Sequence, residues 1–138
     1  MDNKHMTGVK SELRAAIWFS ERGYSVFFPL LTQSRVDFVV IKGPECIRVQ
    51  VKTATWSISG KYKYLQVRLK SRDRQPKQLY SKEEVDVIFV IKDDNYWMIP
   101  IGDVEGLTSL CLESTNPKPK YHNKQYNPES YRVEPGDK

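Results

Sequence analysis

Residues 36–54 read Val-Asp-Phe-Val-Val-Ile-Lys-Gly-Pro-Glu-Cys-Ile-Arg-Val-Gln-Val-Lys-Thr-Ala, and this stretch decides the fold. Two β-rich runs, Val36–Ile41 and Cys46–Ala54, flank the turn signal Lys42-Gly43-Pro44-Glu45, which predicts an antiparallel hairpin. In the second run Val49 and Val51 alternate with Arg48, Gln50 and Lys52. The valines therefore point to one side and the polar row to the other. Antiparallel pairing brings Asp37, near the start of the first strand, beside Gln50 and Lys52, within one cross-strand spacing of ~5 Å.

Working outward, Thr7 is a plausible N-cap for a helix from Gly8 to Arg22, ended by Gly23, after a polar arm at residues 1–6. On a helical wheel Val9, Leu13, Ala16, Ile17 and Phe19 share an arc, and Glu12 falls inside it. A carboxylate facing the protein needs a partner. Further strands are predicted over Tyr24–Leu30 and Lys63–Lys70, and a second hairpin over Val85–Lys92 and Tyr96–Ile101. A short helix is expected from Gly102 to Leu110, and an extended wrap or tail from Asn116. This order gives an α+β or mixed α/β single domain.

The 138 residues suit a single domain, with a core over about 7–110 and a tail over 111–138. Hydrophobic residues make up 39% and charged residues 28%, which excludes wholesale disorder. No run approaches a membrane span and no signal peptide opens the chain. Two widely spaced cysteines, Cys46 and Cys111, argue for reduced thiols and a cytoplasmic setting. From Lys42 to Lys82 eleven Lys/Arg meet only Glu45 and Asp73, a net of +9; the whole chain is +5, so the remainder is −4. That basic stretch is interleaved with Tyr62, Tyr64, Gln66 and Tyr80, a mixture suited to nucleic acid.

Two carboxylates ~5 Å apart repel by roughly 3 kcal/mol at an effective dielectric of 20. Glu12 delivered by the helix beside Asp37 would create that repulsion, and a divalent cation would reverse it. Oxygen ligands of this kind suit Mg²⁺, with Mn²⁺ as a substitute. Lys52, on the face of Gln50, is then available to orient or deprotonate a water and to offset phosphate charge. Such equipment hydrolyses a phosphodiester. Arg48 has two readings, a phosphate contact or an ion pair with an acid such as Glu12. Asp86 reads as structural, and Trp56 is the tryptophan expected nearest to DNA.

Here the chain resembles the PD-(D/E)XK nuclease superfamily. The likeness rests on Gly8, Glu12, the run Glu21-Arg22-Gly23-Tyr24-Ser25-Val26-Phe27-Phe28-Pro29, Val36-Asp37 and Arg48-Val49-Gln50-Val51-Lys52-Thr53. It is similar above all to the small intron-encoded homing endonucleases, in which Gln stands before x-Lys in place of Asp or Glu. The resemblance implies a restriction-endonuclease-like core, with a mixed central sheet flanked by helices, and a site-specific, metal-dependent endonuclease on double-stranded DNA. It implies catalytic roles for Glu12, Asp37, Gln50 and Lys52, with Asp37, Glu12 and the Val51 carbonyl as metal ligands. Val36 replaces the usual proline before the aspartate, and Gln50 lowers the site from three negative charges to two.

Arg48, Lys61, Lys63, Arg68, Lys70, Arg72, Arg74 and Lys77 are the candidate DNA contacts. One site per chain and two strands to cut imply a homodimer or homotetramer. Rival functions are a Holliday junction resolvase on the same fold and a catalytically silent DNA-binding module.

Overall fold

The computed structural model describes residues 3–31, 34–69, 81–116 and 127–134. Helix α1 spans Asn3–Glu21. It closes on Gly23, whose φ of 90° lets Tyr24 N–H reach back to the Phe19 carbonyl at 3.1 Å. That is a Schellman ending, which a residue with a Cβ would strain. Strands β1 (Ser25–Phe27), β2 (Phe38–Lys42) and β3 (Glu45–Thr53) follow. The expected first strand is shorter than predicted, because pairing stops ahead of Pro29, and Leu30 is 96% exposed.

The central hairpin forms in the predicted register. Phe38 faces Val49 and Lys42 faces Glu45 across a two-residue loop, with φ of 58° at Gly43 as a II′-type turn requires. β3 then pairs in parallel with β6 (Val87–Lys92), which turns back antiparallel into β7 (Asn95–Pro100). The resulting six-stranded sheet is mixed, in the order β1-β2-β3-β6-β7-β9.

Two elements depart from the sequence reading. Beyond Ala54 the chain forms β4 (Thr55–Ser59), which pairs with β5 (Tyr62–Arg68). The helix expected over 102–110 is instead a 3₁₀ turn at Ile101–Asp103 and a strand, β8 (Ser109–Ser114), beside β5. Gly102 and Gly106 disfavour the helix, and Gly106 takes φ of 90°. β8 buries Leu110 and Leu112, so the core passes the predicted boundary at residue 110. Farther on, β9 (Arg132–Val133) adds to β7, and the Glu134 carbonyl accepts from Trp18 Nε1 and Arg22 Nη2. These residues of the expected tail thus tie α1 to the sheet.

β6 explains the layering. Phe89 and Ile91 pack toward Ala15, Trp18 and Phe19 of α1, while Ile88 and Val90 pack toward Leu65, Val67, Leu110 and Leu112 of the second sheet. A strand covered on both faces must be apolar throughout, as Val-Ile-Phe-Val-Ile is. Among the described residues one α-helix covers one face and the three-stranded sheet β4-β5-β8 the other, in place of flanking helices on both.

The inward face of α1 also differs from expectation. Ser11, Ala15, Ala16, Trp18 and Phe19 are buried, whereas Leu13 and Ile17 are 52% and 57% exposed. Small Ser11 and Ala15 let the helix backbone approach the sheet, and the two aromatics beside them fill the space. Leu13 and Ile17 are turned to the outer side. Glu12 stands at the edge of the buried arc, half-buried.

Candidate active site

β2 and β3 diverge just where the polar residues cluster. Asp37 precedes β2, and its N–H donates to the Val49 carbonyl at 2.9 Å, which carries the pairing one residue further and sets Asp37 opposite Gln50. Its carboxylate accepts the Val51 N–H at 2.7 Å. Burial pushes the Asp37 carboxyl above the usual range, against the opposing pull of the Val51 N–H and the nearby charge of Lys52. The fold therefore holds a carboxylate where negative charge is costly, and a cation would relieve the cost.

Gln50 is buried, and its Oε1 has no hydrogen-bond partner among the described residues. Its Nε2 lies 3.5 Å from the Val51 carbonyl, too long for a strong bond. An orphaned buried acceptor is costly unless something satisfies it. α1 contributes Glu12, and its neighbour Ser11 bonds to Thr53 on β3, Oγ to Oγ1 at 2.7 Å. This hydroxyl pair pins the helix to the strand one residue from Glu12 and one from Lys52. Together Thr7, Gly8, Ser11, Glu12, Asp37, Gln50, Val51, Lys52, Thr53 and Thr55 line a cavity of about 450 Å³.

Glu12, Asp37, Gln50, Val51 and Lys52 are thus brought to one place. Among the described residues, no three of His, Cys, Asp and Glu form a metal-holding group. The donor set here is instead two carboxylates, an amide oxygen and a backbone carbonyl. The unpartnered Gln50 Oε1 and the buried Asp37 carboxyl make this set fit a hard divalent cation.

The cationic candidates separate into three groups. Arg48 is committed elsewhere: its Nε and Nη2 each reach the Asp86 carboxylate at 3.0 Å, and its N–H donates to the same group at 2.8 Å. The guanidinium also caps the Glu83 and Lys82 carbonyls at 2.5 and 2.8 Å. It is an internal clasp: of the two readings of Arg48 the structure shows the ion pair with an acid, and that acid is Asp86 in place of Glu12. Asp86 is structural, as expected. Lys61, Lys63 and Arg68 stand exposed on the β4–β5 hairpin. Lys70, Arg72, Arg74 and Lys77 lie outside the described residues.

Sequence reasoning missed Ser11 and Thr53. Hydroxyl residues immediately beside Glu12 and Lys52 were the available signal, since neighbours on a strand alternate sides and Thr53 must face the helix.

The PD-(D/E)XK endonuclease family matches residues 1–132. Protein 5.3 of Escherichia phage T7 is 36% identical over 116 residues, covering 84% of this chain and 96% of that protein. A bacterial homing endonuclease of known structure, I-Ssp6803I, superposes with a TM-score of 0.69 over 94% of this chain and 87% of its own, at 15% identity. That likeness is one of fold, a restriction-endonuclease-like mixed α+β core.

Proposed function

The chain belongs to the PD-(D/E)XK endonuclease family, and from that premise we propose a Mg²⁺-dependent endonuclease that cuts double-stranded DNA at a defined, homing-type site. The observation that carries this reading is the convergence of Glu12, Asp37, Gln50 and Lys52 on one cavity, with Gln50 Oε1 buried and unpartnered. Enzymes of this family use divalent metals. Asp37, Glu12, Gln50 Oε1 and the Val51 carbonyl would hold the ion, and Mn²⁺ would substitute. Once bound, it supplies positive charge to the scissile phosphate and lowers the pKa of a water.

The remaining work falls to side chains of this chain. Lys52 orients the attacking water and offsets the charge that builds on the phosphate. Asp37 must be ionised to act, and its bond to Val51 N–H fixes its direction. The Ser11–Thr53 pair keeps Glu12 and Lys52 in register. Lys61, Lys63 and Arg68 hold the backbone of the duplex.

Cutting both strands requires two such sites, so the working form is a homodimer or homotetramer in the cytoplasm. Among the described residues no helix is long and apolar enough to cross a membrane. Nicking of supercoiled plasmid tests the reading. Mg²⁺ supports cleavage, EDTA stops it, and Lys52→Ala abolishes it while DNA binding persists. Undiminished cutting by Lys52→Ala would overturn it.

A further inference from the structure

β3 does not stop at Lys52. The chain runs on through Ala54, leaves the central sheet and becomes β4, all five residues of which are exposed. Trp56 is 45% exposed and Ile58 74%. The register pairs Trp56 with Leu65 and Ile58 with Lys63, so all four share one face of the hairpin. Leu65 closes the core, and Trp56 and Ile58 continue the same face outward past it. The other face pairs Ser57 with Tyr64 and Ser59 with Tyr62, and the tip turns at Gly60 with φ of 61°.

Charge identifies the occupant of the apolar pair. The hairpin itself, residues 55–68, holds Lys61, Lys63 and Arg68 and no Asp or Glu, and Glu113, opposite Leu65 on β8, is paired with Arg132. An apolar pair on a hairpin whose own charges are all positive is poorly matched to a protein interface core, where Lys is depleted. It matches a polyanion with flat apolar surfaces between its charges, namely stacked bases between phosphates. Thr55, the first residue of β4, lines the catalytic cavity, so the hairpin starts at the candidate site itself.

We propose that Trp56 and Ile58 form a wedge that enters duplex DNA between adjacent base pairs, with Lys61 and Lys63 on the flanking phosphates. The proposal rests on the DNA-endonuclease reading above and adds how the duplex is deformed. From Lys52 to Trp56 the chain can span at most about 13 Å, so the wedge lies within about four base-pair steps of the cut. A wedge there unstacks one step and bends the helix near the scissile phosphate. It selects steps that open easily, such as pyrimidine–purine steps, without hydrogen-bonding any base.

The experiment uses the full chain in EDTA with relaxed, closed-circular plasmid and a topoisomerase, followed by deproteinised gels. Tryptophan emission is recorded in parallel during titration with mixed-sequence duplex. Trp18 and Trp97 are buried, so quenching by DNA reports Trp56. Wild-type protein is expected to unwind the plasmid and lose emission. Trp56→Ser with Ile58→Ser keeps the wild-type melting temperature, binds about tenfold more weakly and no longer unwinds. Trp56→Phe retains unwinding, whereas Lys61→Ala with Lys63→Ala weakens binding and lowers its salt dependence.

Unwinding by the Ser variant equal to wild type overturns the wedge. Nicking in Mg²⁺ with neither unwinding nor quenching in EDTA overturns it too, and leaves the endonuclease standing. Wild-type protein that neither binds DNA nor nicks plasmid overturns the endonuclease reading and the wedge with it.

Discussion

Asp37 and Val51 are stitched together where β2 and β3 part: the carboxylate of one accepts the backbone N–H of the other at 2.7 Å. One carboxylate oxygen is thereby a structural acceptor in a half-buried place, while the group as a whole is a negative charge lining the cavity. Asp37→Asn separates these roles. The amide oxygen still accepts the Val51 N–H, and the cost of burying charge disappears. Melting is expected at or slightly above the wild-type temperature, while plasmid nicking falls by at least about a hundredfold. A variant that melts lower and still cuts would contradict the assignment.

The raised pKa of Asp37 has a definite sign in pH experiments. Its folded value lies above its unfolded one because burial disfavours the anion. Across the interval from the unfolded value of about 3.9 up to the raised one, the unfolded chain ionises first, so this group makes stability fall as pH rises. Activity has the opposite slope, since only the ionised carboxylate can take a cation. The acid limb of the nicking rate is expected above the ordinary carboxylate range. Raising Mg²⁺ should move that limb to lower pH, because metal and proton compete for one group. A limb insensitive to Mg²⁺ would remove Asp37 from the metal site.

Gln50 offers a neutral oxygen, and its buried Oε1 has no hydrogen-bond partner among the described residues. Gln50→Glu restores a third negative charge at nearly constant volume. It is expected to lower the Mg²⁺ concentration for half-maximal cleavage by about tenfold and to lower the stability of the metal-free protein. Gln50→Leu removes the orphan and should melt higher while losing activity. Cleavage that appears only in Gln50→Glu would identify the natural chain as a silent DNA-binding module. Metal titration of both variants, followed by melting, decides the point.

Arg48 and Asp86 lock β3 to the start of β6 by a two-pronged ion pair backed by the Arg48 N–H. The Arg48 hydrogen bond and charge hold the Asp86 carboxyl below its usual range. A depressed folded pKa gives stability that is present above the unfolded value and lost as pH falls through the folded one. Asp86→Ala is expected to cost about 1–3 kcal/mol at neutral pH, because it strands the backbone N–H and the guanidinium together. The difference from wild type should shrink below about pH 4 as Asp86 itself protonates. Urea unfolding at neutral and acid pH measures both. DNA affinity corrected for folding should not change, since Arg48 faces Asp86 and two carbonyls.

The parts of this fold legible in the sequence are those whose signal is local. The β2–β3 and β6–β7 hairpins each join alternating or fully apolar runs across turn residues, and pairing followed. β4 and β8 carry weaker patterns, Thr-Trp-Ser-Ile-Ser and Ser-Leu-Cys-Leu-Glu-Ser, that become strands only because each has β5 beside it. The face of α1 was misjudged because hydrophobicity alone favours Leu13 and Ile17, whereas packing favours small Ser11 and Ala15 against the sheet. Glu12 reaches the cavity even so, since it borders either arc. For Arg48 the sequence offered an ion pair as one of two readings but not which acid, because the partner stands 38 residues away.

That turned helix face leads to the last expectation. Met6, Val9, Leu13 and Ile17 are 38–57% exposed and recur at helical spacing along one side of α1. They fall within an arc of about 80°, a continuous apolar stripe. On the proposed endonuclease reading a double-strand cut takes two active sites, and a stripe of this kind is what a second helix of the same sequence would cover. Burying Leu13 and Ile17 removes roughly half of each side chain from water, about 1 kcal/mol apiece per copy. Leu13→Glu with Ile17→Glu reverses that gain and sets like charges face to face across a twofold axis. Sedimentation velocity is expected to show self-association of the wild-type chain and its loss in the double variant, by at least about a hundredfold in association constant. Plasmid should then be nicked but not linearised, because each monomer retains its own Asp37, Gln50 and Lys52. An oligomer that survives the double substitution would locate the interface on another face.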